Sequence, residues 1–486
     1  MGWDKDRRVW CVALGLGTVI DGVARSVEQV ADSVSEALFE PVIRLGVTGL
    51  SRSGKTVFIT ALVANLLDRG RMPGLRAVAE NRVEAAFLQP QPNDVVPRFD
   101  FESHLRAMTG PDPYWPEGTR AISQLRLSLR VAPSGMLSAL KRPRTVHLDI
   151  VDYPGEWLLD LPLMSQSFAE WSDEAQRLAR GPARHEHARG WLDLLDATDP
   201  TAELDEAQAK ALAEAFTQYL RSCRDAGLSA CAPGRFLMPG DLEGSPALTF
   251  CPLPGTGFAR RSLGREFDRR FEAYKKQVVT PFFRDHFARI DRQIVLVDAL
   301  GAIHSGPQAI ADLRTALVDV LRCFRTGRNG VFSFLTGTRV EKILFAATKA
   351  DHLHHRQHAA LTGFMHALVR QARDRAEFSG AQTEALALAS LRATEEEMRT
   401  HNGRELPMVK GVLASTGKPA LMFPGTLPED PAQLLKPAEE GVQGWLEGDY
   451  AVMNFLPATL TLSRGDGPPH IRLDRAAEFL LGDKLA

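Results

Sequence analysis

Val42-Ile43-Arg44-Leu45-Gly46-Val47-Thr48-Gly49-Leu50-Ser51-Arg52-Ser53-Gly54-Lys55-Thr56-Val57 begins as a β-branched apolar run and turns into a glycine-bearing loop. Gly49, Gly54, Lys55 and Thr56 fill the pattern G-x-x-x-x-G-K-[ST], whose chemistry requires a strand before it and a helix after it. Val57, Phe58, Ala61, Leu62, Ala64, Leu66 and Leu67 supply the helical spacing that follows. Backbone N–H groups from Gly49 through Ser51, Arg52, Ser53 and Gly54 to Val57 are therefore expected to converge on a polyphosphate. The positive end of the helix assists them. Lys55 adds a point charge on the outer phosphates, and the Thr56 hydroxyl is a ligand suited to Mg²⁺. The implied fold is α/β, of the P-loop nucleoside-triphosphatase class.

Working outward, the 486 residues are enough for two or three lobes, and the net charge of −2 carries no basic excess. General affinity for nucleic acid is thereby excluded as an expectation. The cysteines (Cys11, Cys223, Cys231, Cys251, Cys323) are odd in number and lack C-x-x-C spacing, which fits reduced cytoplasmic thiols. Near the start, Val9 to Ile20 is apolar but too short to span a bilayer, and no A-x-A cleavage site follows. Val23, Val27, Val30, Val34 and Leu38 continue at helical spacing, so residues 1–40 read as a helical extension that packs or lies on a membrane surface.

The first part of the nucleotide domain is placed at 41–157. Residues 70–115, with Pro73, Pro90, Pro92, Pro97, Pro111 and Pro113, read as an irregular excursion. Leu125–Val131 and Thr145–Val151 read as strands joined by a Pro/Gly/Arg loop, hence an antiparallel pair. Residues 158–290 change to Ala, Leu, Arg and Glu at helical spacing and read as a mainly helical insertion, including a helix from Arg261 to about Ile290. The second part occupies 291–486. It has strands at 293–299, 342–348 and 386–390, a helix opened by Pro307, and a Gly/Pro-rich extension from 400 that ends in a helical pattern over Ile471–Leu480.

Asp152, at the tip of the second strand of the pair, heads Asp152-Tyr153-Pro154-Gly155-Glu156. An acid there can hold Mg²⁺ from the side opposite Thr56, and Gly155 lets a backbone N–H approach a γ-phosphate. The two together sense that phosphate. Thr348-Lys349-Ala350-Asp351 after a buried strand matches [NT]-K-x-D, in which the carboxylate accepts both N1–H and N2–H of guanine while the Lys349 stem packs along the base and braces the phosphate loop. Ser390-Leu391 ends the next strand, where a backbone N–H can meet the guanine O6. Thr119 is the candidate first-switch hydroxyl for Mg²⁺, with Ser123 as its alternative. Glu156 stands where a water-orienting residue is wanted and is a candidate general base. Arg52 is a candidate for stabilising transition-state charge. Asp149 reads as one polar face of a strand. His354 and His358 lie at i, i+4 spacing, but without a matching carboxylate or Cys they read as a polar helix start rather than a zinc site. An ATPase that treats Asp351 as a helix cap, and a scaffold that holds nucleotide structurally, are the rival readings.

Gly46–Thr60, Asp152-Tyr153-Pro154-Gly155-Glu156-Trp157, Ala347-Thr348-Lys349-Ala350-Asp351-His352 and Pro469-His470-Ile471-Arg472-Leu473-Asp474 together resemble the YcjX-like proteins. That bacterial group is stress-associated and Ras-like. The resemblance runs from about residue 30 to the C-terminus. It implies a Ras-like G domain, with a mixed, mostly parallel sheet flanked by helices, interrupted by a helical insertion. It also implies GTP and GDP as ligands and a link to envelope or heat stress. An inner-membrane partner protein, and with it a peripheral place at the inner membrane, is implied as well.

Overall fold

The computed structural model describes residues 40–50, 52–134, 142–322, 340–440, 454–463 and 465–486. The expected helical extension before residue 40, Ser51, and the middle of the loop between the paired strands lie outside the described residues.

The phosphate-loop strand β1 (Val42–Gly49) leads through the loop into α1 (Lys55–Leu67). Then come β2 (Val83–Gln89), α2 (Phe101–Thr109), β3 (Ser123–Val131) and β4 (Arg144–Asp152). A helical stretch carries α3 (Phe168–Ala179), α4 (His185–Asp196), α5 (Glu206–Asp225) and α6 (Leu263–Tyr274). The sheet resumes with β5 (Arg292–Val297), α7 (Pro307–Arg322), β6 (Lys342–Ala347), α8 (His358–Leu368) and β7 (Gln382–Ala387). The chain closes with β8 (Glu395–His401), β9 (Arg404–Val412), β10 (Pro419–Met422) and α9 (Leu473–Leu481).

Among the described residues the main sheet has seven strands in the order β2-β3-β4-β1-β5-β6-β7. β1 lies parallel between β4 and β5, β6 and β7 continue in parallel, and β2–β3 and β3–β4 are antiparallel. This is the α/β, mostly parallel arrangement expected of a P-loop protein. All of β5 is buried, because helices cover both faces of the parallel strands. The side chains alternate accordingly. Leu45, Val47, Ile294 and Leu296 join Phe58, Leu62, Leu473 and Leu480 on the α1/α9 face. Val295, Val297, Ile343 and Phe345 point to the other face.

That second face shares one core with the helices of 158–290: Trp171, Trp191, Phe216, Phe250 and Phe271 belong to the same buried cluster as Val151 and Val297. Trp171 stacks on Phe271 at 4.9 Å and Trp191 on Tyr219 at 5.4 Å. Rings packed this way bury large apolar areas and fix the helices against the sheet. The expected long helix from Arg261 is present as one helical run from Leu263 to Asp285, in which α6 passes through a π-turn at Lys275–Val279 into Thr280–Asp285.

Three expectations are corrected. The stretch 70–115 is not irregular throughout. Its prolines fall outside β2 and α2, and Asp100 caps α2 by accepting from the Ser103 N–H at 3.3 Å. Asp149 is no plain polar face, since Arg126 lies opposite it in the β3–β4 register and binds it bidentately at 2.6 and 2.8 Å, both side chains nearly buried. The segment after 390 holds a separate antiparallel sheet, β10-β9-β8. Its first hairpin turns on Asn402 and Gly403, both at positive φ (49° and 73°), as a two-residue turn between strands demands.

Candidate nucleotide site

The loop after β1 closes on itself through the Ser53 N–H to the Leu50 carbonyl at 3.2 Å, while the Phe58 N–H meets the Gly54 carbonyl at 2.9 Å and starts α1. Gly54 has φ of 84°, a conformation that a side chain would strain. The buried Lys55 ammonium reaches back to donate to the Gly49 carbonyl at 2.8 Å. Thr56 Oγ1 lies 3.4 Å from Thr119 Oγ1, and the Thr119 hydroxyl donates to Asp152 Oδ2 at 2.7 Å. Of the two first-switch candidates the structure thus brings in Thr119, whereas Ser123 sits in the β3 ladder opposite Asp152.

Asp152 is almost fully buried, and its Oδ1 has no hydrogen-bond partner among the described residues. Burial pushes its pKa up to about 6, against the opposing pull of the Thr119 hydroxyl and the Lys55 ammonium. An orphaned buried carboxylate oxygen beside two hydroxyls is a hard-oxygen donor set, and it fits Mg²⁺.

Gly155 touches the loop so closely that a Cβ there would run into the Gly49 carbonyl and come within 2.9 Å of Lys55 Nζ. Glu156 is buried, and its own carbonyl packs against Gly234, where a Cβ would overlap it. The next residues are fastened to the helical stretch. The Trp157 indole N–H donates to the Met238 carbonyl at 2.8 Å, and the Arg235 guanidinium covers the ring. Asp160 accepts from the Gly234 N–H at 2.6 Å and from the Tyr274 hydroxyl at 2.7 Å.

Burial also raises the Asp160 pKa to about 6, the hydrogen bonds notwithstanding. A carboxyl raised above its unfolded value binds its proton more tightly in the native state. Its contribution is therefore favourable below about pH 4 and is lost as pH rises through about 6. Between pH 4.5 and pH 7 (about the window these values define) the Asp160 carboxyl is expected to subtract thermal stability from wild type, read as the difference in slope from a variant that does not titrate there. Asp160→Asn should lose measurably less, because Asn can accept from Gly234 and donate to the tyrosine hydroxyl at every pH. Equal slopes in a thermal-melting series would contradict this.

At the other end of the cleft, Thr348 Oγ1 donates to the Val297 carbonyl at 3.2 Å, and Lys349, at φ 59°, directs its ammonium to Asp298. Asp351 is buried, and its Oδ2 accepts from the Ala393 N–H at 2.8 Å. Its backbone carbonyl accepts from the Thr394 hydroxyl. Arg52, Ser53, Gly54, Lys55, Thr56, Val57, Thr119, Glu156, Thr348, Lys349, Asp351, Ser390 and Leu391 all line one cleft of about 530 Å³, a size suited to a small ligand. Arg52 is exposed at its rim.

The same cleft contains residues the sequence did not single out. Trp115 and Phe455 are joined by the indole N–H donating to the Phe455 carbonyl at 2.7 Å. His352, its Nδ1 buried without a partner among the described residues, stands edge-on to Phe455. Arg224 and Met238 reach in from the helical stretch. His352 closes the Thr348-Lys349-Ala350-Asp351-His352 stretch already quoted, and Trp115 stands four residues before the switch candidate Thr119. Phe455 is brought from far along the chain by its bridge to Leu413 beside β9, which no local pattern announces.

The histidine pair at 354 and 358 does not form a metal site. His358 Nε2 is held at 2.8 Å from the Ala350 carbonyl, and His354 Nδ1 accepts from the Arg356 N–H at 3.3 Å, so the two rings serve the local turns. His354 and His355 approach Glu396 instead. Arg392 already lies 3.4 Å from the other oxygen of that carboxylate.

The model of the YcjX-like family, DUF463, matches residues 43–485. A protein of Escherichia coli (strain K12) named Ras-like GTPase YcjX is 40% identical over 457 residues, covering 91% of this chain and 96% of the relative. A Shewanella oneidensis protein of the same name is 33% identical over 492 residues, covering 96% and 99%. Among the described residues no helix is long and apolar enough to cross a membrane.

Proposed function

Because the chain belongs to the YcjX-like family, we propose that it is a guanine-nucleotide-binding molecular switch that hydrolyses GTP slowly with Mg²⁺. The observation that carries this reading is the cleft lined by Lys55, Thr56 and Thr119 at one end and Asp351 at the other, with Asp152 hydrogen-bonded to Thr119 and Gly155 packed on the phosphate loop. The loop amides and Lys55 hold the β- and γ-phosphates. Thr56, Thr119 and Asp152 hold Mg²⁺, which when bound neutralises charge on those phosphates. Gly155 reports the γ-phosphate, and Asp351 reads guanine with Lys349, Ser390 and Leu391 around the base. Glu156 is the base or water-orienting group, and Arg52 lends charge from the rim. The relatives' names support GTP as the nucleotide. A stress-linked role beside an inner-membrane partner, with the protein cytoplasmic or peripheral at that membrane, completes the proposal. So does a division into an extension (1–40), a G domain in two parts (41–157 and 291–486) and a helical insertion (158–290).

The burial of Gly155–Leu161 against the helices favours one second reading, a scaffold that holds nucleotide without turnover. Single-turnover assays decide between them. The switch reading expects bound GTP to become GDP over minutes to hours, roughly the intrinsic pace of unassisted Ras-like proteins. Tight GTP binding with no cleavage would leave the scaffold.

A further inference from the structure

Besides the main cleft, a cavity of about 150 Å³ lies between the phosphate loop and the helical stretch. Arg52, Ser53, Glu156 and Arg224 line both spaces and so form the wall between them. The cavity is large enough for water, which needs about 30 Å³ of liquid volume per molecule. Ser53 Oγ, buried with no partner among the described residues, is one polar group available there.

Two cations stand at this junction, and they are held very differently. Arg52 belongs to the loop, sits at φ 62° and is exposed. Arg224 occupies the last turn of α5, a helix anchored in the core by Leu212, Phe216, Leu220 and Cys223. Its side chain is 29% exposed, and its partner is the neighbouring, mostly exposed Asp225, whose Oδ1 accepts from Nε and a terminal N–H at 3.3 Å each, a surface pair that a phosphate can displace. A cation mounted on a rigid element is pre-organised for charge that develops in a transition state, whereas one on a loop is not.

We propose that Arg224 is a further catalytic residue, an arginine supplied within the chain by the helical insertion to the γ-phosphate. The proposal rests on the GTPase reading above. In the step it serves, a water oxygen bonds to the γ-phosphorus while the bond from that phosphorus to the β–γ bridging oxygen breaks. The electron pair of the broken bond leaves with GDP, and the water proton passes to Glu156 or to a phosphate oxygen. Arg224, which lines the same cleft as Lys55, neutralises part of the negative charge that spreads over the transferring group.

GDP affinity, trapping of GDP with aluminium fluoride, and single-turnover GTP cleavage are measured on wild type, Arg224→Ala and Arg224→Lys. GDP affinity in all three within about threefold is expected, since the residue acts on developing charge rather than on the ground state. Arg224→Ala should lose aluminium fluoride trapping and cleave GTP at least about 100-fold more slowly, with Arg224→Lys between. Trapping by Arg224→Ala equal to wild type, absence of trapping in wild type, or a loss of GDP affinity that accounts for the slower cleavage would each overturn the assignment. Failure of wild type to bind GDP at all would instead remove the nucleotide reading beneath it.

Discussion

Lys55→Ala is expected to lower GTP affinity by at least about 100-fold, the loss of one or two charge-assisted contacts in a partly buried site. It should lower turnover further, because the same charge counts for more as the γ-phosphoryl group departs. The ammonium is buried, and among the described residues its hydrogen bond goes only to the Gly49 carbonyl. Removing it takes a charge out of a low-dielectric place, and it also takes from the buried Asp152 carboxyl the cation that draws its pKa down. The two effects oppose each other, so the ligand-free variant should melt close to the wild-type temperature. Thermal melting with and without GTP and Mg²⁺ checks both halves, since ligand stabilisation follows affinity. An unchanged GTP-dependent rise in melting temperature would refute the role given to Lys55.

Gly155→Ala is expected to be nearly as damaging, for a steric reason. The added Cβ meets the Gly49 carbonyl, a backbone group with no rotamer to move, and lies against Lys55 Nζ. The strain has to be relieved by moving the phosphate loop or the segment after β4. A cost of about 1–3 kcal/mol in stability and loss of tight nucleotide binding follow. Gly234→Ala, which meets the Glu156 carbonyl on the far side of the same segment, is the informative comparison. It should destabilise similarly while leaving the loop able to bind GDP. Equilibrium unfolding and GDP titration on the two variants separate these effects, and undiminished GDP binding by Gly155→Ala would refute the close-approach argument.

Much of the fold was legible because the phosphate loop, Asp152-x-x-Gly155 and Thr348-x-x-Asp351 each require a strand before them, and those strands have period-2 or continuous apolar patterns. The parts that escaped are those whose order comes from distant partners. β2 reads Val-Glu-Ala-Ala-Phe-Leu-Gln, without clean alternation, and is a strand because β3 offers it an edge. Asp149 looked like a solvated polar residue, because Arg126 stands beside it only once the hairpin is in register. The hairpin at Asn402-Gly403 did carry a local signal, the Asn-Gly pair of a two-residue turn, which was obscured by the Gly/Pro-rich composition around it. At the site, the phosphate and base motifs were readable one by one. That Thr119 rather than Ser123 meets Asp152, and that Arg224 and Phe455 complete the cleft, depends on tertiary placement alone.

The central claim is that this cleft holds a guanosine nucleotide through Asp351. One oxygen of Asp351 is committed to the Ala393 N–H, so in Asp351→Asn the amide oxygen can keep that bond and turn its NH₂ toward the base. That single change replaces an acceptor by a donor, which suits the C2 carbonyl of xanthine and opposes the N2 amine of guanine. Calorimetric titration of wild type and Asp351→Asn with the guanosine, adenosine and xanthosine triphosphates is therefore the most direct test. Wild type should prefer GTP over ATP by about 100-fold or more, and the variant should lose GTP and gain the xanthosine nucleotide by comparable factors. Equal binding of GTP and ATP by wild type, or an unaltered preference in the variant, would contradict the account.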